Sequence, residues 1–273
     1  MKVCRCGGIS KMGEKTRNDG MPERLVALHE GEESLRSKAL ELIATDAKLR
    51  LHMLLVEEAM NLADTWRQFE TDEEDLKLLQ IFGMRTFNAF GASIKLALSG
   101  YHQNSALIMR DILETVFLLD LFSFDRTLIG RWRIADKKAR MKEFSPIRVR
   151  EALDARDGFN SRKRAELYEL FSELAGHPTM KSAWMMRPQR DGDAVIGPFM
   201  ERTALEAVLS EMGRLAVQVG EILSGFFPSR WSPGVSAQLT FMNLKMQWFR
   251  TFYSGGTPRA VEKTEVDTGS SPA

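Results

Sequence analysis

The sequence predicts an all-α fold, an irregular multi-helix bundle with one short hairpin or flap. Three observations predict it. Apolar residues recur at three- and four-residue spacing almost throughout residues 21–253. Helix starts and stops punctuate that spacing: Thr71 with Glu74, Ser145 before Pro146 and Thr203 with Glu206 as starts, Gly100 and Gly176 as stops. The period breaks clearly only in residues 182–199, where two prolines, two glycines and an Asp191-Gly192 turn signal predict a loop or a short β-hairpin.

Taken in order, residues 1–20 are polar without apolar period and are expected to be a disordered tail. A first helical region spans roughly 32–70, from Leu35 to Phe69. The Thr71/Glu74 capping box then starts a helix through Leu76, Leu79, Phe82 and Phe87 to Leu98. Gly100 turns the chain into a nearly all-apolar helix ending at Phe122. A basic helix near 126–142 and a short one from Pro146 follow. Residues 162–175 put Leu167, Leu170, Phe171 and Leu174 on one stripe. A long helix from Thr203 runs up to Pro228, and a final one covers 235–253. Residues 254–273, lacking aromatic residues, are expected to be a second disordered tail. No repeat or internal boundary divides 21–253, so a single helical domain is expected there.

The chain has 273 residues and a net charge of +1, but the charge is uneven. Residues 57–75 carry eight acids against Arg67 alone, and residues 126–164 carry thirteen Lys or Arg against five acids. Cys4 and Cys6 are the only cysteines, too few for a structural zinc site and badly placed for a core disulfide. With no apolar signal segment in the first twenty residues and no uncharged run long enough to span a bilayer, a cytoplasmic protein without membrane contact is expected. Neither a GxxxxGK[ST] nor a GxGxxG loop occurs, nor HExxH, ExxH or GxSxG. Four histidines make a His-rich metal site improbable, and neither a metal nor a cofactor is expected.

The helix after Gly100 carries charge where apolar residues belong, because Leu107 and Leu118 fall in the angular sector of Arg110, Asp111 and Glu114. Charges taken from water persist only when paired. An antiparallel hairpin would set Gly91 opposite Arg110 and Asn88 opposite Glu114. One reading is an anion or phosphate site built on Arg110; the other is a salt bridge that only fixes helix register. His177, in SELAGHPT, lies four residues after Glu173 and is either an acid/base or phosphate contact held by Glu173, or a cap on helix-terminal carbonyls. Trp132, Phe144 and Phe159 interleave with the basic segment, which fits nucleic-acid contact through Arg131, Arg133, Lys137 and Lys138, or an ordinary solvated face. The last helix has two apolar faces, Val235, Leu239, Met242, Met246 and Phe249 on one and Phe241, Leu244, Trp248 and Phe252 on the other, so a homo-oligomer through 235–253 is expected.

The runs LALSGYHQNSALIMRDILETVFLLDLF, LYELFSELAGHPT and IGPFMERTALEAVL resemble an uncharacterised family of bacterial and mobile-element helical proteins. That family has a Gly-Tyr turn, an Arg-x-x-x-Glu helix and a Ser-x-x-x-His-Pro segment, and the resemblance covers about 87–209. A remoter similarity is to HEPN helical bundles, many of which are dimeric ribonucleases of defence and toxin systems. Their Arg-polar-His spacing is met only by Arg24 and His29, with Leu25 at the polar position. The family itself has no assigned activity, and the function expected here is that of an HEPN-like protein that binds RNA or a nucleotide phosphate in a defence or stress system. In it, Arg110 would contact phosphate, Glu114 would orient it and His177 would serve as acid/base. The alternative is a non-enzymatic helical interaction protein whose polar cluster is structural.

Overall fold

The computed structural model describes residues 20–159, 162–188 and 192–253. The two expected tails lie outside these residues apart from Gly20, as does Asp191 of the expected turn. The fold is an all-α multi-helix bundle with no strand among the described residues: α1 (Glu23–Thr45), α2 (Ala47–Trp66), α3 (Glu74–Leu98), α4 (His102–Phe124), α5 (Thr127–Ile134), α6 (Lys137–Glu143), α7 (Pro146–Arg156), α8 (Lys163–Phe171), a π-helical turn (Ser172–Gly176), α9 (Met180–Trp184), α10 (Arg202–Ser224) and α11 (Ser232–Tyr253).

Helices α2, α3, α4 and α10 form the centre, α11 covers α2 and α10, and α7, α8 and the π-turn lie on the remaining side of α4. One continuous core runs from Ala39 to Trp248. Its α10 share holds Leu205, Val208, Leu209, Met212, Leu215, Val219 and Leu223 of the stripe that the three-four spacing predicts, joined by Ala216 and Val217.

Helix boundaries depart from expectation where a carboxylate competes for the N-cap. Asp46 caps α2 by accepting from the Lys48 and Leu49 N–H groups, splitting the first helical region in two. Asp136 accepts from Ala139 N–H and divides the basic helix into α5 and α6. Glu201 caps α10 through the Thr203 and Ala204 N–H groups, displacing the expected Thr203/Glu206 box, and Glu206 pairs with Arg202 instead. Thr71 does not cap α3; its hydroxyl accepts from Glu73 N–H in the preceding turn. Residues 185–188 and 192–199 lie outside any helix, and they are joined where Val195 N–H donates to the Met186 carbonyl at 2.9 Å. Pro188 and Pro198 offer no N–H to extend that pairing into a ladder.

Helix α11 is keyed into the bundle by paired notches. Gly213 and Gly220 of α10 stand seven residues apart, as do Phe241 and Trp248 of α11. A Cβ on Gly220 would fall inside the Phe241 ring, and one on Gly213 would lie 2.8 Å from His52 Nδ1 and 3.1 Å from Trp248 Nε1. The buried Trp248 indole donates to His52 Nδ1 at 2.9 Å. His52 stacks on Phe252 at 4.3 Å, and burial first, then the Arg214 charge, lowers its pKa from 6.5 to about 4.

The turn between α3 and α4 is fixed at Gly100, whose φ of +87° and whose approach to Phe199 leave no room for a side chain. Just beyond it, the hydroxyls of Ser93 and Ser105 meet at 2.9 Å and each bonds the other's backbone carbonyl. Further along, Arg85 reaches Asp111 at 2.5 Å. These contacts set a register several residues away from the expected Gly91–Arg110 pairing. Gly91 faces open space and Ala92 is exposed.

Candidate functional site

Arg110 points away from α3, toward α8. One residue turns the helix by about 100°, so while Asp111 meets α3, Gln103, Arg110 and Glu114 face the layer of α8 and the π-turn. There the Arg110 guanidinium lies 4.5 Å from the centroid of the Tyr168 ring, and its Nη2 donates to the Tyr168 hydroxyl. Glu114 is 3.3 Å from Nη2. Arg150 of α7 approaches the same ring, its Cζ 4.1 Å from the centroid. Two cations thus share one phenol, with one carboxylate beside them.

The π-turn makes room for this arrangement. A wide turn of this kind carries one extra residue per hydrogen-bonded ring and recurs near functional positions. Its last residue, Gly176, has Arg110 Nη1 3.3 Å from where a Cβ would stand. Gln103 Nε2 reaches the Leu174 carbonyl at 3.5 Å, tying the turn to the start of α4.

The cluster is half-open. The Arg110 and Glu114 side chains are 24% and 31% exposed, whereas Arg150 is 9% exposed. Arg110 Nε and Arg150 Nε and Nη1 are buried with no acceptor among the described residues. Buried donors are almost always satisfied, so three unmet guanidinium nitrogens around one ring form an excess of donors beside an excess of positive charge. An anionic acceptor, above all a planar or tetrahedral oxyanion, suits that combination.

The other candidate residues fall as follows. His177 succeeds Gly176 in the chain and is exposed; its ring makes no hydrogen bond or ion pair with Arg110 or Glu114. Glu173, expected to hold it, pairs with Lys181 instead, and its carbonyl accepts from the Thr179 hydroxyl at 2.5 Å. Asn88 is not brought to the cluster; it is exposed on α3 and lines a cavity with Asp64, Arg67 and Phe87. Arg131 pairs with Glu143 at 2.6 Å and Arg133 with Asp75 at 2.8 Å. Lys137 and Lys138 are exposed and make no ion pair among the described residues. Trp132 and Phe144 turn inward onto Phe122, while Phe159 stays at the surface. Further along the same segment, Arg156 and Arg164 are bound into Asp120, Asp154 and Asp157. Arg156 first, then Arg164, holds the Asp157 carboxyl down at about 2. Much of the basic charge is thus answered within the chain. Arg24 and His29 are exposed on α1, where His29 meets Glu32.

Two participants escaped the sequence reading. Arg150 is hidden among thirteen cations, yet it sits between Val149 and Leu153 on the buried stripe of α7, a place where a lone arginine signals a partner. Tyr168 gave no signal beyond its position next to Leu167. A third buried group, His102 in the first turn of α4, has both ring nitrogens unpaired. Burial lowers its pKa, while Glu201 and the nearby Phe199 backbone, outside hydrogen-bond geometry, favour the charged ring to a smaller extent.

Among the described residues, no three His, Cys, Asp or Glu side chains group as a metal site would require, and no helix is long and apolar enough to cross a membrane. The fold and cluster define an all-α bundle carrying an arginine–tyrosine–arginine site. No protein-family model matches the sequence, and neither a curated protein nor a solved structure matches it.

Proposed function

We propose that this is an HEPN-like helical protein that binds a phosphate-bearing ligand, RNA or a nucleotide, at the Arg110–Tyr168–Arg150 cluster. The observation that carries the reading is the set of three buried guanidinium nitrogens with no acceptor among the described residues. A phosphate entering at the partly exposed end of Arg110 would supply acceptors to them as the two guanidinium groups turn toward it. Glu114 keeps Arg110 oriented, and His177, exposed and next in the chain to Gly176, is assigned the acid/base role. Lys137 and Lys138, unpaired and exposed, would add long-range attraction for an extended strand.

The test is fluorescence anisotropy with labelled single-stranded RNA and with a fluorescent ATP analogue across a salt series. Binding by the wild-type protein should weaken steeply with salt, since phosphate contacts release counterions. Arg110→Gln should weaken binding of both probes at least tenfold with the helical circular dichroism unchanged. Absence of binding to either probe at low salt refutes the proposal.

A second reading is favoured by α11. Its outer face presents Leu239, Met242, Met246 and Phe249 at 60%, 42%, 47% and 41% exposure, and Tyr253 continues the row. This alternation of three and four residues is the seam of a coiled coil. On this reading the chain is an interaction protein that pairs with a second copy along α11.

A further inference from the structure

We propose that the cavity between α4, α8 and α10 takes an unpaired nucleobase, so that the ligand of the arginine cluster is a nucleotide unit laid along the α4–α8 seam. The inference rests on the phosphate reading above and names the remaining part of the same ligand. The cavity has a volume of about 380 Å³, within the usual range for small-molecule pockets. Its position ties it to the cluster: Leu167, on its wall, directly precedes Tyr168, and on α4 the stretch from Arg110 to Asp120 spans about 15 Å at the helical rise.

The lining has what a base requires. Val116, Phe117 and Ile222 give apolar walls. Phe159 keeps 41% of its surface exposed, in contrast to the inward-turned Trp132 and Phe144. An exposed aromatic ring at a cavity beside a cationic cluster is the element on which single-stranded bases stack. Lys163 Nζ and Arg164 Cζ lie 4.8 Å and 5.4 Å from the Phe159 centroid, so a base stacking on the ring would displace the flexible Lys163, whose ammonium can then meet a flanking phosphate. Gln218 of α10 brings an amide to the wall, and it has no side-chain hydrogen bond among the described residues. A carboxamide matches the donor–acceptor edge of a base. The two carboxylates on the lining do not oppose a polyanion at full strength, because Arg156 and Arg164 bind Asp120 and Lys245 binds Glu221 at 2.7 Å.

The test compares three probes on the full chain: a labelled single-stranded RNA decamer, a fluorescent ATP analogue and inorganic triphosphate competing with each. Phe159→Ala, a surface change, should weaken the RNA decamer or the ATP analogue about tenfold, as loss of one base stack does. It should leave competition by inorganic triphosphate unchanged. Arg110→Gln should weaken all three. If the decamer is affected and the ATP analogue is not, the base belongs to a strand; the converse assigns it to a free nucleotide. If Phe159→Ala binds every probe as wild type does, the base site is overturned while the phosphate site stands. If wild type binds only inorganic triphosphate, the base site is again overturned. If wild type binds none, both fall together.

Discussion

At the scale of single residues, the interior of this bundle is set by pairs that leave no slack. His52 accepts from Trp248 in a buried setting, and its pKa lies near 4 instead of 6.5. The folded value is below the unfolded one, so between them the unfolded chain binds more protons and stability rises with pH. The contribution is complete above pH 6.5 and is lost as pH falls to about 4, on the order of 3 kcal/mol. Urea titrations at pH 7 and pH 4.5 should therefore reveal a steeper loss for wild type than for His52→Gln. Gly220→Ala should be worse than its size suggests, because the new methyl meets the Phe241 ring and α11 must shift. A cost of about 1–3 kcal/mol is expected, read as a fall in urea midpoint at unchanged slope. Neither Gly213 nor Gly220 was recognisable in the sequence, since the rings they accommodate, Trp248 and Phe241, belong to another helix.

At the scale of elements, Gly100 governs the joint between α3, α4 and the segment 192–199. A Cβ there would sit 2.6 Å from the Phe199 carbonyl oxygen in a left-handed backbone conformation. Gly100→Ala should cost about 1–3 kcal/mol, and limited proteolysis should show earlier cleavage within 185–199. The Arg110–Glu114 pair behaves differently. Because both side chains remain about a quarter to a third exposed, water screens them, and Glu114→Gln should cost only about 1 kcal/mol in thermal or urea denaturation. A fully closed pair would cost several times more. The sequence revealed the helices themselves, the turn at Gly100 and the charged sector of α4, because periodicity and breakers are local properties. The direction in which Arg110 points was not legible. The α3–α4 register depends on Ser93 meeting Ser105 across the turn, and an ideal antiparallel hairpin misplaces it by several residues. Boundaries at Asp46, Asp136 and Glu201 were missed for a related reason: acids that look like solvated surface charge serve as caps.

At the scale of the whole molecule, α11 separates an inward aromatic row from an outward one. The inward row, with Phe241 and Trp248 fully buried, is the one of the two expected faces that meets the chain's own bundle. The outward row predicts self-association: sedimentation equilibrium should give a dimer at micromolar concentration, and Met246→Glu should shift it to monomer without loss of helicity. A monomeric wild type would remove the second functional reading and leave the phosphate site untouched. The notches on α10 bear on this outer row. Two rings seated in two glycine gaps fix α11 both along its axis and about it. A slip of seven residues would empty one gap and press the other ring against a full side chain. The bearing of the outer stripe is therefore set from inside, by two residues that no docking partner could touch. Any assembly on that surface inherits its angle from the absence of two methyl groups in the core, and the way to re-aim it is to change a buried glycine instead of the stripe itself.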